Sequence, residues 1–456
     1  MRFLAIDLGT SFLKGAVLDL ETAQISHISR TPFPAAVPGL PPRHVEVEPA
    51  AIVAATQALL EQLAAAAPDA AGVVVTGQMH GIVLANAQGK ALSRAVTWQD
   101  QRILDVMDDG GTTYFDDLNR RIAPEMVAAT GNGLKPSLPL CALVWWASKG
   151  QLPDGAVPAS LPDYVLATLS GTPPVAEPTM AASMGMLDLS TGDWHQALLR
   201  EFGLDRLAWP RVVDLRTPSY EIPVGGRRLP CYAPVGDHQC ALVGALLQPG
   251  ELSLNISTGS QLGVLAPTFV PGLYETRPYF DSNYLQAVTR IPAGRALNAL
   301  VGLLTELAQA EGYTVRDPWA TIAEAVAATP QTDMRMEVSF FASPVGDRGE
   351  MTNLSEENLH VGHLFRAAFQ SMARNYQRCA AMLAPPAPLT QLVFSGGLAQ
   401  NLEPLRTEVA SLLGLPYRMC PTSEDTLLGL LALARMSVGS APSVAASVQQ
   451  LASESF

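Results

Sequence analysis

Lysine is nearly missing from this chain: of its 29 basic residues only four, Lys14, Lys90, Lys135 and Lys149, are lysines. Set against 42 acidic residues, the bases leave a net charge of −13, so the surface as a whole repels polyanions and offers no broad footprint for nucleic acid. Cysteine is sparse too. Cys141, Cys231, Cys240, Cys379 and Cys420 are odd in number and widely spaced, with no Cys-x-x-Cys pair and no histidine at ligand spacing. That pattern argues against a disulfide framework or a zinc site and reads as reduced core thiols. There is no charged leader with an apolar stretch and cleavage site, and no apolar run reaches membrane-spanning length, so a cytoplasmic protein without a membrane partner is expected. Also absent is the helix that a dinucleotide-binding fingerprint or a Walker loop needs directly after its glycines.

What the chain does have is a pair of turns. Residues 3–6 are an apolar run, Gly9, Thr10 and Ser11 can turn the backbone tightly, and residues 12–19 read as a second buried strand, which makes a hairpin. In such a turn the donors are backbone N–H groups and the Thr and Ser hydroxyls, which together form a concave anion site. Residues 252–265 repeat the pattern, with Thr258, Gly259 and Ser260 at the bend. Two such turns imply one nucleotide held between two halves.

With 456 residues, 48% of them apolar and 16% charged, the chain is a compact globular protein too long for one core, and two domains are the simplest division. Residues 49–67 have the periodicity of an amphipathic helix, with Ile52, Leu59, Leu60 and Leu63 inward. Strands at 72–75 and 95–98 empty into Gln78-Met79-His80 and Trp98, so polar groups gather at strand termini, where open α/β sheets place their ligands. Residues 241–246 are apolar and small, as in a tightly packed helix. The second half restarts as strand, turn and strand and adds a long helix at 360–383. After the strand 392–394, Ser395-Gly396-Gly397 leads into a further helix.

Six segments carry a family resemblance: Asp7-Leu8-Gly9-Thr10-Ser11 with Lys14; Gly77-Gln78-Met79-His80-Gly81; Thr97-Trp98-Gln99-Asp100-Gln101-Arg102; Gly236-Asp237; Ser257-Thr258-Gly259-Ser260; and Ser395-Gly396-Gly397. They stand in the order found in the FGGY carbohydrate kinases, which residues 1–436 resemble. The resemblance implies an α/β fold of two ribonuclease-H-like domains, of the actin, Hsp70 and sugar-kinase superfamily, with a catalytic cleft between them. Residues 1–245 would form the sugar-binding N-terminal domain and residues 246–436 the nucleotide-binding C-terminal one; the tail at 437–456, rich in Ser, Ala and Gln, is expected to be poorly ordered. Within the family the chain is similar to sedoheptulokinases, with Pro278-Tyr279-Phe280 and Leu254-Asn255-Ile256-Ser257-Thr258 among the points of likeness, and to xylulokinases next. It departs from its relatives at Ala293-Gly294-Arg295, where Asn-Gly-Gly is common, and at His238, where xylulokinases tend to carry Asn.

Phosphoryl transfer to a sugar hydroxyl needs an in-line nucleophile, neutralised phosphates and exclusion of water. On the resemblance, Asp237 is the general base; the local sequence alone would equally make it a helix N-cap. Asp7 is expected to hold Mg²⁺, directly or through water, or else to cap its own turn. Gly9, Thr10, Ser11, Thr258, Gly259 and Ser260 would donate to the ATP phosphates. Lys14 would add charge there or point into solvent. Gly396, Gly397 and Asn401 would hold the adenine side, or form a plain strand-to-helix turn. Gln78, Met79, His80, Trp98, Asp100, Arg102, Asp237 and His238 are expected to wall the sugar. The expected acceptor is a ketose, sedoheptulose before xylulose or ribulose, and a homodimer is compatible with the sequence. An ATPase of actin or Hsp70 type, without a sugar acceptor, is the reading from another class, and it leaves His80 and Trp98 unexplained.

Overall fold

The computed structural model describes residues 1–454 apart from 109 and 132. Arg2–Leu8 and Val73–Gly77 are buried almost throughout, because helices cover their sheet on both faces. Arg2–Leu8 pairs antiparallel with Phe12–Asp19, ending at Leu8 opposite Leu13, and parallel with Val73–Gly77, with Asp7 opposite Thr76. Gln24–Pro32 extends this sheet at one edge, and the hairpin of Tyr220–Val224 and Arg227–Cys231 at the other. One face is covered by Pro49–Ala66, which buries Ile52, Leu59, Leu60 and Leu63. That helix is long and apolar enough to cross a membrane by length and composition, contrary to the sequence expectation, but here its apolar residues belong to the core.

The second lobe repeats the plan. Glu251–Ile256 pairs antiparallel with Ser260–Ala266 and parallel with Gln391–Ser395, placing Asn255 opposite Ser395. Tyr284–Ile291 and Glu275–Pro278 lie beyond Ser260–Ala266, and Tyr417–Met419 lies beyond Gln391–Ser395. Phe365, Phe369, Met372 and Tyr376 of the helix Val361–Ala380 fill the core beneath the sheet. A third apolar core, built by residues between Ile82 and Leu207, stands beside the first lobe.

Two expectations about the end of the chain are corrected. Asp425–Ser437 packs into the first lobe's core through Leu427, Leu428, Leu430 and Leu431, so the second lobe does not extend to residue 436. The segment beyond it is also ordered: Ser443 caps the helix Val444–Ser453, whose Val444, Val448 and Leu451 are buried in the same core. Gln449, Gln450 and Ser453 occupy the outward face of an amphipathic helix, which composition without periodicity conceals. Residues 455 and 456 of the expected tail lie outside the described residues.

The returning helix fixes the geometry of the cleft. Asp425–Ser437 crosses Asp237–Gly244 at two glycines: a Cβ on Gly429 would stand 2.0 Å from the Cys240 carbonyl oxygen, and one on Gly244 would stand 1.8 Å from that of Asp425. Only bare backbone permits this approach, and it sets the start of Asp425–Ser437 against the end of Asp237–Gly244.

Candidate active site

Asp237 opens its helix directly after the short strand Val235–Gly236, which pairs with Val73–Gly77. Its Oδ1 accepts the His238 N–H at 2.8 Å. The Gly236 N–H is held by Thr179 Oγ1 at 2.8 Å, and a Cβ on Gly236 would run into the Met79 sulfur at 3.0 Å. The cleft in front of Asp237 is a cavity of 370 Å³. Thr10, Gln78, His80, Trp98 and Thr426 line it from the first lobe, and Gln261 and Arg277 from the second. Trp98, 42% exposed, donates from Nε1 to Thr10 Oγ1 at 3.1 Å, tying the aromatic wall to the first turn. Gln78 Oε1 is buried without a protein partner, an open acceptor for a hydroxyl. His80 sits at φ +64°, a strained conformation for a non-glycine residue.

The two ends of the cleft differ in charge. At the first-turn end, burial raises the carboxyls of Asp237 to about 7 and Asp425 to about 6, and repulsion from Asp7 adds to both. Asp7 is itself raised by burial, against the pull of Lys14, and its Oδ2 accepts from Thr426 Oγ1 at 2.8 Å. At the other end, Arg277 donates to Glu275 at 2.7 Å and meets His238 Nδ1 at 2.9 Å, which puts the imidazole proton on Nε2. Lys135 and Thr289 occupy the other oxygen of Glu275. Burial, Lys135 and Arg277 depress His80 to about 3, and burial and Arg277 do the same to His238, so both imidazoles are neutral.

Beyond the second turn lies a cavity of 570 Å³, lined by Ser257, Thr258, Trp319, Gly397, Leu398 and Asn401 among others. The turn at residues 257–260 therefore stands between a nucleoside-sized pocket and the cleft at Asp237. Thr258 and Gly259 are exposed there, as are Thr10 and Ser11 in the first turn, and Gly9 is half-buried. Gly396 adopts φ +88°, and a Cβ on it would meet the Ile256 carbonyl oxygen at 2.5 Å, so its glycine is a close-approach requirement of the turn.

Three of the expected site residues are placed differently, and a fourth, Lys14, stays at the first turn. Asp100 and Arg102 turn away from the cleft and pair with each other, Arg102 also reaching Glu46 at 2.8 Å and lying over Trp145 and Trp146. Both are buried, and Asp100 also accepts the Val45 N–H at 2.7 Å, so the pair is a structural clasp rather than a sugar contact. Ser260 is buried with its hydroxyl 2.7 Å from that of Tyr376, which withdraws it from the phosphate turn. Lys14 does not reach into solvent; it lies 3.1 Å from Glu424 and 3.8 Å from Asp7. Sequence reasoning missed Lys135, Gln261, Glu275, Arg277, Asp425 and Thr426 as site residues. A readable signal existed for Asp425 and Thr426, since Ser423-Glu424-Asp425-Thr426 before an apolar run is a helix start. Arg277 and Lys135 had none, because they meet only where the lobes face each other.

Residues 2–222 match the N-terminal domain of the FGGY family of carbohydrate kinases. The chain is similar to the sedoheptulokinase of Mus musculus, at 26% identity over 91% of this chain and 93% of that one. Among solved structures it resembles a ligand-bound xylulose kinase from Lactobacillus acidophilus, with a TM-score of 0.82 and 18% identity over 98% of this chain and 91% of that one. It also resembles Plasmodium falciparum glycerol kinase with ADP, with a TM-score of 0.83 and 17% identity over 99% and 92%. At those identities the two structural likenesses speak for the fold.

Proposed function

Because this chain belongs to the FGGY family of carbohydrate kinases, we propose that it transfers the γ-phosphoryl group of ATP to a terminal hydroxyl of an open-chain sugar, with Asp237 as general base. Among neutral ketoses, sedoheptulose, yielding sedoheptulose 7-phosphate, stands first on the likeness to the mouse enzyme, and xylulose or ribulose follow on the likeness to xylulose kinase. The observation that carries the reading is the position of Asp237: a carboxyl at about 7 that faces a polar cleft lined by both lobes, beside the first turn and Thr426. A group of that basicity accepts a hydroxyl proton near neutral pH as the bond to phosphorus forms.

The remaining residues divide the task. Thr10, Ser11, Thr258 and Gly259 offer donors to the phosphates from opposite lobes, while the pocket beside Gly397 and Asn401 takes the nucleoside. Gln78 and His80 hold sugar hydroxyls, and Trp98 supplies the apolar wall. Among the described residues no three His, Cys, Asp or Glu side chains are spaced to ligate a metal directly. Asp7, Asp237 and Asp425, each raised in part by its neighbours, nevertheless fit a cation held through water and phosphate oxygens. Mg²⁺ bound there with ATP would neutralise the β- and γ-phosphates. The five free, buried cysteines support a reducing compartment, the cytoplasm.

The test is ADP release followed by a coupled assay, with Mg²⁺-ATP and a panel of ketoses. Turnover that requires an acceptor is expected. Equal ATP hydrolysis without one would favour the actin-type ATPase reading, and no turnover under any condition would remove the kinase assignment.

A further inference from the structure

Asp237 and Glu275 are the only carboxylates among the described residues lining the 370 Å³ cleft and the 580 Å³ cavity on the other side of the Glu275–Arg277 pair. Against them stand three cations: Arg277 in the cleft wall, and Lys135 and Arg290 in the adjoining cavity. Arg290 is exposed to solvent, but Glu275 cannot balance both of the buried cations, Arg277 and Lys135. Both its oxygens are taken, one by Arg277 and the other by Lys135 and Thr289, and these partners hold its carboxyl well below the usual range despite burial. Asp237 balances Arg277 only in part: Arg277 pulls its carboxyl down, but burial and the repulsion from Asp7 outweigh that pull. His80 and His238, the other titratable groups facing this end, are neutral.

Excess positive charge on side chains as buried as Arg277, 7% exposed, and Lys135, 9% exposed, is costly unless an anion reaches it. The crowding is visible in Lys135: burial, reinforced by Arg277 and Arg290, lowers its ammonium to about 8 even though it is paired with Glu275. Arg277 spends one N–H on Glu275 and another on His238, and its fork retains further donors for a planar anion. The cleft thus has an acidic end, where the base sits, and a cationic end contributed mainly by the second lobe.

We infer that the sugar accepted by this cleft carries an anionic group, a carboxylate or a phosphate ester, at the end away from the reacting hydroxyl, and that Arg277, backed by Lys135, reads it. This rests on the kinase reading of the same cleft, but it ranks a sugar acid or sugar phosphate ahead of the neutral ketoses. It also gives the second lobe a part in choosing the acceptor, because Lys135 comes from the first lobe and Glu275, Arg277 and Arg290 from the second.

The test pairs acceptors that differ only at the far end: D-gluconate against D-sorbitol, D-galactonate against galactitol, and ribulose 5-phosphate against ribulose, with sedoheptulose alongside. Hydrogen bonds to a charged partner predict kcat/KM roughly 10–100-fold higher for the anionic member of a pair. Arg277→Leu should erase that preference, lowering kcat/KM for the anionic member of each pair by more than for the neutral one, which a merely structural role would not do. Arg277→Lys should keep part of it, and Lys135→Met should weaken it. Preference for the carboxylates or for ribulose 5-phosphate tells the two anion sources apart. Equal or better turnover of the neutral members, or an anion preference unchanged in Arg277→Leu, overturns the inference. Thermal unfolding with each anion and no nucleotide separates the two readings. An Arg277-dependent shift without any turnover sinks the kinase assignment and leaves this inference standing, whereas neither shift nor turnover sinks the inference as well.

Discussion

The two lobes offer the same strand position with two different side chains. Asp7 and Asn255 each stand one residue before the last pair of a hairpin, Leu8 with Leu13 and Ile256 with Ser260, and each faces a parallel neighbour, Thr76 or Ser395. The environments then part. Asn255 donates from Nδ2 to Ser395 Oγ at 2.9 Å, a neutral bond within its own sheet, while Asp7 accepts from Thr426 on the helix that returns from the end of the chain. Three carboxylates converge on the first turn; the second turn is exposed at Thr258 and Gly259 and carries no acid. A repeated scaffold has been charged on one side only, and the charge lies where Asp237 sits.

Removing the Asp237 carboxylate tests this asymmetry most severely. Asp237→Asn is expected to lower turnover by about 10³-fold with nucleotide affinity nearly unchanged, measured by steady-state rates and nucleotide titration. The same change should stabilise the protein, since a carboxyl raised to about 7 in the folded state favours folding at low pH and loses that contribution as pH rises through 7. The variant's unfolding midpoint should therefore exceed the wild type's at pH 8, by roughly 1 °C for each kcal/mol relieved, and match it near pH 4. In the wild type, kcat/KM should climb as pH passes about 7, because only the deprotonated form accepts the hydroxyl proton.

Arg102→Met separates structure from site. Leaving the buried Asp100 without its ion partner, and Glu46 with Arg94 alone, should cost about 3 kcal/mol by denaturant titration, with the sugar KM unchanged; a raised KM at undiminished stability would return Arg102 to the sugar wall. Asp7→Asn makes the first turn resemble the second and should reduce kcat by roughly 10²-fold, with a higher Mg²⁺ requirement seen in a metal titration. The reciprocal Asn255→Asp places a carboxylate beside the turn proposed to hold the phosphates and should raise the ATP KM by about tenfold, more at low ionic strength than at high. Equal effects of the two swaps would mean that the turns are interchangeable and the asymmetry incidental.

Much of this was legible in residue order. Hairpin turns, strand-end polar clusters and the small-residue helix after Asp237 follow from local pattern, and the crossing of Gly244 over Gly429 explains why small residues stand there. Asp100 and Arg102 were misplaced because a polar residue after a strand can face either way, and the choice fell to Trp145, Trp146 and Glu46, which pattern does not locate. Ser260 failed for a similar reason: the Tyr376 hydroxyl, 116 residues downstream, claims it.

By itself the sequence determined the periodic elements, both turns and the acid at position 237, since each depends on neighbours in the chain and on the φ, ψ and hydrogen-bonding habits of a few residue types. Tertiary structure alone decided that the chain's last helices close the first core, that Asp425 and Thr426 join Asp7, and that Lys135 meets Glu275 and Arg277. Those contacts pair groups far apart in sequence, and whether a buried charge is balanced or left in excess depends on every charge around it in space, a sum that residue order does not contain.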